Sequence, residues 1–551
     1  MLHAGRIVAS VRRGGLLVIP MRQNQVHHQR DDKRQRDGIV HEDVLDDLGE
    51  GDEDAAHLRE ADADGQRRCG DGDVALREAG LGHHLEAAGD DGAEHHDRAT
   101  AQHRVGHRAE HRAHGRHEAG DDQDAGAACD RLAVDDVRHA DEADVLGERG
   151  QRRAAEHARD GAKYGVSAKD VTLDQKAVVA RRGKVVRTLV SGVGAKMKGA
   201  GVTVVKERTS IVGRVEGGYE VEAAGQKYQA KRLLIATGSS PSLPPIPGLK
   251  EGIEAGYLLT NREVLTLDAV PERLAIIGGG VIGLEMAAYY ATAGSKVTVI
   301  EMLDHIAGAT DREISAMLQK EYEKKGVTFL LSTKVVSIAE GKIACEAGGK
   351  PLEVPFDKAL VSIGRRANIK GIGLENLGVV TDRAGIVTDD KMRTSVENVY
   401  ATGDVTGRYM LAHTAYREAE VAVNHMCGEK DVINYDSVPA VIYTDPEVAC
   451  VGMTLQGAKR RGYAAREVKV PMQYAGRYVA EVDNGKGFCK LVLDETSNRL
   501  LGVHMIGSYV SEMIYGAAMM IDTQLPPARL QKLTFPHPTV SEVLREALFA
   551  L

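Results

Sequence analysis

Apolar residues are distributed along the chain in two regimes that change near Arg159. From Gly161 onward short apolar runs alternate with longer amphipathic stretches, the pattern of strands and helices succeeding one another. Arg273-Leu274-Ala275-Ile276-Ile277 ends at a glycine cluster and predicts a short buried strand. Leu284 to Ala293 is too long an apolar run for a strand and predicts a helix. Lys296 to Ile300, rich in β-branched residues, predicts the next strand. Two further apolar runs stop at Thr-Gly: Leu233-Leu234-Ile235-Ala236-Thr237-Gly238-Ser239 and Val399-Tyr400-Ala401-Thr402-Gly403-Asp404. Near the C-terminus Val543 to Leu548 predicts a short apolar helix. The alternation as a whole predicts an α/β fold.

The first 160 residues show no such periodicity. They hold no Phe, Tyr or Trp, 22 Arg against the single Lys33, and 16 of the 21 His. So little apolar surface cannot offset chain entropy, and the expectation for residues 1–160 is a low-complexity, disordered segment. The same composition is what an out-of-frame or opposite-strand reading of GC-rich DNA produces, so mistranslation is the alternative for this segment. Detecting its peptides in the native protein excludes it. Between His103 and His117 the imidazoles lie among Arg, Gly and Glu without ligand spacing, so no metal site is expected. Gly70, Gly72 and Ala75 spell GxGxxA, but Gln66-Arg67-Arg68-Cys69 is no buried strand, and Asp71 and Asp73 would repel a diphosphate.

Charge divides at the same place. The 551 residues carry a net −9; residues 1–160 hold 23 basic and 36 acidic side chains (−13), the remainder 48 and 44 (+4). An acidic segment joined to a near-neutral body argues against nucleic acid as a partner. No window approaches a membrane span and the start lacks the pattern of a secretory signal, so a cytoplasmic protein without membrane attachment is expected. Cys69, Cys129, Cys345, Cys427, Cys450 and Cys489 form no close pair and read as lone thiols.

Between the strand ending at Ile277 and the following helix, Gly278-Gly279-Gly280-Val281-Ile282-Gly283 is a GxGxxG turn in its required setting. The first glycine serves the tight turn, the second lets backbone approach a diphosphate, and the third lets helix and strand pack closely. The next strand ends at Glu301, where a carboxylate accepts from both ribose hydroxyls and repels a 2′-phosphate. With no Arg before Arg312, NAD is favoured over NADP. His537, between Pro536 and Pro538, stands five residues before Glu542, an arrangement for a base and the carboxylate that orients it.

Ala236-Thr237-Gly238-Ser239, the glycine turn, Val361-Ser362-Ile363-Gly364-Arg365-Arg366, Ala401-Thr402-Gly403-Asp404 with Met410-Leu411-Ala412-His413, and His537-Pro538-Thr539-Val540-Ser541-Glu542 together resemble the flavin-dependent pyridine-nucleotide disulfide oxidoreductases, most closely the dihydrolipoamide dehydrogenase branch, over residues 161–551. The resemblance implies an FAD domain (161–272 and 391–440) interrupted by a Rossmann-like NAD domain (273–390), then an α+β interface domain (441–551) forming a homodimer. Thr237, Gly238, Ser239, Asp404, Met410, Leu411, Ala412 and His413 would contact FAD. Gly278, Gly279, Gly280, Val281, Ile282, Gly283, Glu285, Glu301, Val335 and Gly364 would line the NAD site. His537 and Glu542 would be catalytic, deprotonating a dithiol in the partner's site, and the larger partner would be a lipoyl-bearing protein of a 2-oxo acid dehydrogenase complex. Ala367 departs from the usual Pro after the arginine pair.

Two features of the family are missing ahead of Gly161: a first GxGxxG unit for the ADP part of FAD, and a CxxxxC redox pair followed by a Lys. The expectation is a chain with little dihydrolipoamide activity and weakened FAD affinity. Another disulfide reductase of the superfamily, or a noncatalytic NAD-binding dimer, are the alternatives.

Overall fold

Leu274, Ala275, Ile276 and Ile277 are buried in succession, as befits a parallel strand covered on both faces. Their strand, Arg273–Ile277, is the centre of a five-stranded parallel sheet ordered Thr328–Leu330, Lys296–Ile300, Arg273–Ile277, Lys358–Val361, Leu258–Leu259. The computed structural model describes residues 150–551 and, ahead of them, the backbone of strands Ala9–Ser10 and Leu16–Ile19, all within one compact unit. Cys69, Cys129, the Gly70 to Ala75 pattern and His103 to His117 lie outside the described residues.

The helix after the glycine turn is Val281–Ala293, starting ahead of the expected Leu284 because the last turn of the GxGxxG segment is itself helical. It stops where Gly294 (φ 108°) turns left-handed and donates to the carbonyls of Ala291 and Tyr290. The helix is apolar all round because it is covered all round: Leu284, Ala287 and Tyr290 share one hydrophobic cluster with Ile442, Val448, Phe488 and Ile506 of the C-terminal sheet. Helix Arg312–Lys324 is amphipathic instead, burying Ile314, Leu318 and Tyr322 at intervals of four.

A second parallel sheet orders Val399–Ala401, Arg232–Ile235 and Leu16–Ile19. Its core takes in Ile211, Tyr219 and Val221 from the meander Thr209–Val215, Gly218–Ala223, Gln226–Ala230, together with Ile372, Leu374 and Ile386. The C-terminal region is a five-stranded antiparallel sheet ordered Pro439–Ile442, Val448–Gly452, Arg499–Ile506, Phe488–Asp494, Ala465–Pro471. Helices Val510–Asp522 and Glu542–Phe549 bury Met513, Ala517, Val543, Leu544 and Ala547 in the cluster formed with Leu491, Val503 and Met505 of this sheet. An α/β body followed by an α+β domain is the fold class expected.

The disorder expected for residues 1–160 does not reach residues 150–160, which are helical. The composition of the whole segment masks what these few side chains do: Arg152, only 3% exposed, donates to Thr444 O at 3.2 Å, Arg153 pairs with Glu447 at 3.2 Å, and Glu156 accepts from Thr292 Oγ1 at 3.0 Å. Leu16–Ile19 likewise forms a strand through backbone pairing with Arg232–Ile235, which an average over charged neighbours conceals.

Candidate active site

The glycine turn shows a different need at each position. Gly278 has φ 105°, and a Cβ there would stand 2.6 Å from Ser362 O. Gly283 lets the helix cross the strand: a Cβ would meet Gly278 O at 2.2 Å. At Gly280 a Cβ would meet nothing within 4 Å, so that position faces open space. No side chain caps the helix starting at Val281, which leaves the amides of its first turn, with their share of the helix dipole, available to an anion.

Glu301 sits beside this turn. Its Oε2 accepts from Gly279 N at 2.7 Å and its Oε1 from Leu303 N at 2.8 Å, so the carboxylate is held by two backbone amides at the sheet's carboxyl edge. Met302, 69% exposed, and Leu303 give an apolar shoulder next to it. Ser362 donates to Ile277 O and Gly278 O, both at 3.1 Å, and brings the loop through Gly364 (φ 105°, exposed) to the same edge. Val335 is half-buried on strand Thr333–Ala339, whose first amide donates to Glu301 O at 2.9 Å. These residues converge at the carboxyl ends of adjacent parallel strands, where open α/β sheets take ligands. Glu285 is placed differently: it is buried inside the helix, and its Oε1 accepts from Tyr443 N at 3.0 Å. Burial raises its carboxyl pKa, with the Tyr443 amide and the Arg152 charge opposing.

The two Thr-Gly strand ends also meet. Thr402 N donates to Ile235 O at 3.1 Å, and Ser239 Oγ donates to Asp404 Oδ2 at 2.5 Å. Arg365 clamps both turns: Nε donates to Ser239 Oγ at 2.6 Å, Nη2 to Ser239 O at 2.8 Å, and Asp404 lies 3.8 Å away. Asn368 accepts from Thr237 Oγ1 at 2.8 Å through its backbone carbonyl and donates its side-chain Nδ2 to Thr237 O at 2.9 Å. Met410 and Leu411 lead into helix Ala412–Met426, which has no side-chain cap, and the exposed His413 bonds Pro439 O at 2.7 Å.

Glu418 is fully buried behind these turns, accepting from Gly403 N at 2.6 Å and from Tyr435 OH at 2.7 Å. Burial pushes its carboxyl up to about 7 from the ordinary 4.5, against the two hydrogen bonds. The folded state therefore holds a proton between about pH 4.5 and 7 that the unfolded chain has released, so stability falls as pH rises through that window and levels off above it. In Glu418→Gln this segment of the melting-temperature profile is expected to flatten; an unchanged slope would refute the assignment.

At the C-terminal end, His537 Nδ1 lies 2.9 Å from Glu542 Oε1, and Glu542 Oε2 accepts from Thr539 N at 3.1 Å. The bond to His537 and then the Thr539 amide hold the Glu542 carboxyl below its usual value. The imidazole is 78% exposed, so its far side faces away from its own chain.

Arg365, Asn368, Ser362 and Glu418 carry structural roles at the site that sequence reasoning did not assign. Ser362 and Arg365 were visible inside a motif, whereas Asn368 and Glu418 had no local signal. A cavity of about 700 Å³ lined by Thr388, Asp389, Arg393, Tyr400 and His425 contains none of the assigned residues. Among the described residues no helix is long and apolar enough to cross a membrane, and no cluster suits a metal ion.

The pyridine nucleotide-disulphide oxidoreductase profile matches residues 139–419, beginning ahead of Gly161, and the dimerisation domain of that family matches 438–548. Dihydrolipoyl dehydrogenase of Chlamydia pneumoniae is 34% identical over 394 residues, covering 71% of this chain and 83% of that protein. The enzyme of the same name from Bacillus subtilis is 36% identical over 409 residues, 71% and 85% respectively. Among solved structures, LpdA from Mycobacterium tuberculosis superposes with a TM-score of 0.68 at 24% identity, over 75% of this chain and 90% of that one. The HOCl-induced flavoprotein disulfide reductase RclA from Escherichia coli gives 0.63 at 24% identity, over 73% and 89%. At that identity these two structures speak for the fold.

Proposed function

The chain belongs to the pyridine nucleotide-disulphide oxidoreductase family, and from that membership we propose that it is a dimeric, NAD-binding homologue of dihydrolipoyl dehydrogenase that keeps the nucleotide site and the imidazole base but lacks the thiol relay. By resemblance it is an oxidoreductase; FAD and NAD(P) are the cofactors of the family, and the dimerisation domain supports a homodimer. The observation that carries the reading is the glycine turn with open space at Gly280 and Glu301 held beside it.

NAD fits these residues. The first-turn amides after Gly280 would hold the diphosphate, Glu301 the adenosine ribose, and Gly364 with Val335 the walls; the bound nicotinamide supplies a hydride acceptor. For FAD, Thr237, Gly238, Ser239, Asp404 and Met410 to His413 would hold the flavin side. The diphosphate side does not fit: the strand parallel to Arg232–Ile235 is Leu16–Ile19, and the sequence that follows it, Pro20-Met21-Arg22-Gln23, holds no glycine with which to make a diphosphate turn. His537 would take a dithiol proton at Nε2, in the partner subunit's site, with Glu542 stabilising the imidazolium through Nδ1. The substrate class is a dihydrolipoamide on a lipoyl-bearing protein, and the location the cytoplasm.

Titration with NADH and NADPH tests the reading. A 2′-phosphate beside the Glu301 carboxylate costs about 2–3 kcal/mol, so NADPH is expected to bind roughly 50-fold more weakly. Glu301→Ser should remove most of that difference. Equal affinities for both nucleotides in the unaltered chain would defeat the proposal.

A further inference from the structure

The loop carrying Glu301 is fixed at both ends. At its start Glu301 holds Gly279 N, and further along Ala307 N donates to Gly279 O at 2.8 Å while Ile306 is completely buried against the turn. At its end Asp311 caps helix Arg312–Lys324, its Oδ1 accepting from Glu313 N at 3.0 Å and Ile314 N at 3.3 Å. The same carboxylate receives a side chain from a different domain. Lys490, on strand Phe488–Asp494 of the C-terminal sheet, places Nζ 3.1 and 3.2 Å from the two oxygens of Asp311, 2.8 Å from Glu313 Oε2 and 3.5 Å from Glu467 Oε1. The Lys490 and Asp311 side chains are 5% and 3% exposed.

Lys490 belongs to one cross-strand row, Cys450, His504, Lys490, Lys469, in which paired residues share a face. Lys469 adds a second contact to Glu313. Two ammonium groups thus face two carboxylates, Asp311 and Glu313, across the boundary between the nucleotide domain and the C-terminal sheet, with Glu467 of the sheet itself beside Lys490. Removing the buried ammonium leaves the Asp311 carboxylate buried without its countercharge and repelled by the nearby, half-exposed Glu313, and the relief available is for Asp311 to move toward solvent, which shifts the end of the loop.

We infer that Lys490 is a positioning residue for the nucleotide site, holding Asp311 and through it the 301–311 loop that sets Glu301 against the glycine turn. This inference rests on the proposed NAD site. It makes nucleotide affinity depend on a side chain of the dimerisation domain that touches no nucleotide.

The full chain is titrated with NADH, following its fluorescence. Lys490→Met is expected to weaken binding about 10-fold, and Lys490→Arg to remain within about 3-fold of the parent. Asp311→Asn keeps a good helix cap but drops the charge, and is expected to weaken binding to a similar degree. Unchanged affinity in a folded Lys490→Met, checked by circular dichroism, would overturn the inference; if that variant does not fold, unchanged affinity in Asp311→Asn does so. Failure of the parent chain to bind NADH sinks the cofactor reading instead. Amide exchange then decides the pin: faster exchange across residues 303–310 in either folded variant supports it, and unchanged exchange overturns it.

Discussion

The purified chain is expected to form no NADH from dihydrolipoamide above the blank rate. Oxidation of a dithiol by exchange requires a disulfide that a thiolate attacks, and two cysteines close enough to re-form it. Burial pushes the thiols of Cys345 and Cys450 up to about 11 and that of Cys489 up to about 12, so each is almost entirely protonated at neutral pH. Among the described residues Cys345 and Cys489 are buried, Cys450 is half-buried and Cys427 is exposed. His537 has its orienting carboxylate in place and would take the proton of a substrate thiol, but the sequence holds no CxxxxC pair whose disulfide the resulting thiolate could attack. Lipoamide-linked NADH production by the chain alone, abolished by His537→Ala, would show that a relay exists and would overturn the proposal.

The second large effect separates two glycines three residues apart. Gly283→Ala puts a methyl group 2.2 Å from Gly278 O, 2.9 Å from Ser362 Oγ and 3.0 Å from Ile276 Cγ2. Two of these neighbours belong to the sheet edge and one is backbone, so helix and strand must separate. An overpacking cost of about 3 kcal/mol is expected, visible as a fall in melting temperature, together with loss of NADH binding by about 100-fold or more. Gly280→Ala meets nothing within 4 Å in the protein, so its melting temperature should hold. Its methyl group stands where the diphosphate would approach, and NADH affinity should still drop about 10-fold. Parallel loss of stability in both variants would mean that Gly280 serves the fold and not a ligand.

The contrast explains what the sequence could disclose. The glycine turn was legible because each position is constrained by geometry within a few residues: a left-handed φ at Gly278, a close crossing at Gly283, and a carboxylate one strand away at Glu301. The same holds for His537 and Glu542, separated by five residues and joined at 2.9 Å. Lys490 and Asp311 lie 179 positions apart, and nothing in Cys489-Lys490-Leu491 marks that lysine as buried. Glu418 stands among Arg417, Glu420 and Ala419 in a helix of mixed character, where only the packing reveals which carboxylate faces inward. Helix 150–160 was concealed by being averaged with a charged segment. Arg365 stood beside a recognised Gly364, but its partners Ser239 and Asp404 come from two other strand ends.

Strand Leu16–Ile19 has a further consequence that concerns solubility. It is the third strand of the sheet built on Arg232–Ile235, and its removal would leave that strand's amides and carbonyls as a bare parallel edge lined with Leu233, Leu234 and Ile235. Such an edge is a template on which further chains can stack. Four residues near the start of the chain thereby pair that buried apolar strand on its second side and leave only a short strand as the sheet's edge, a role independent of any cofactor or reaction.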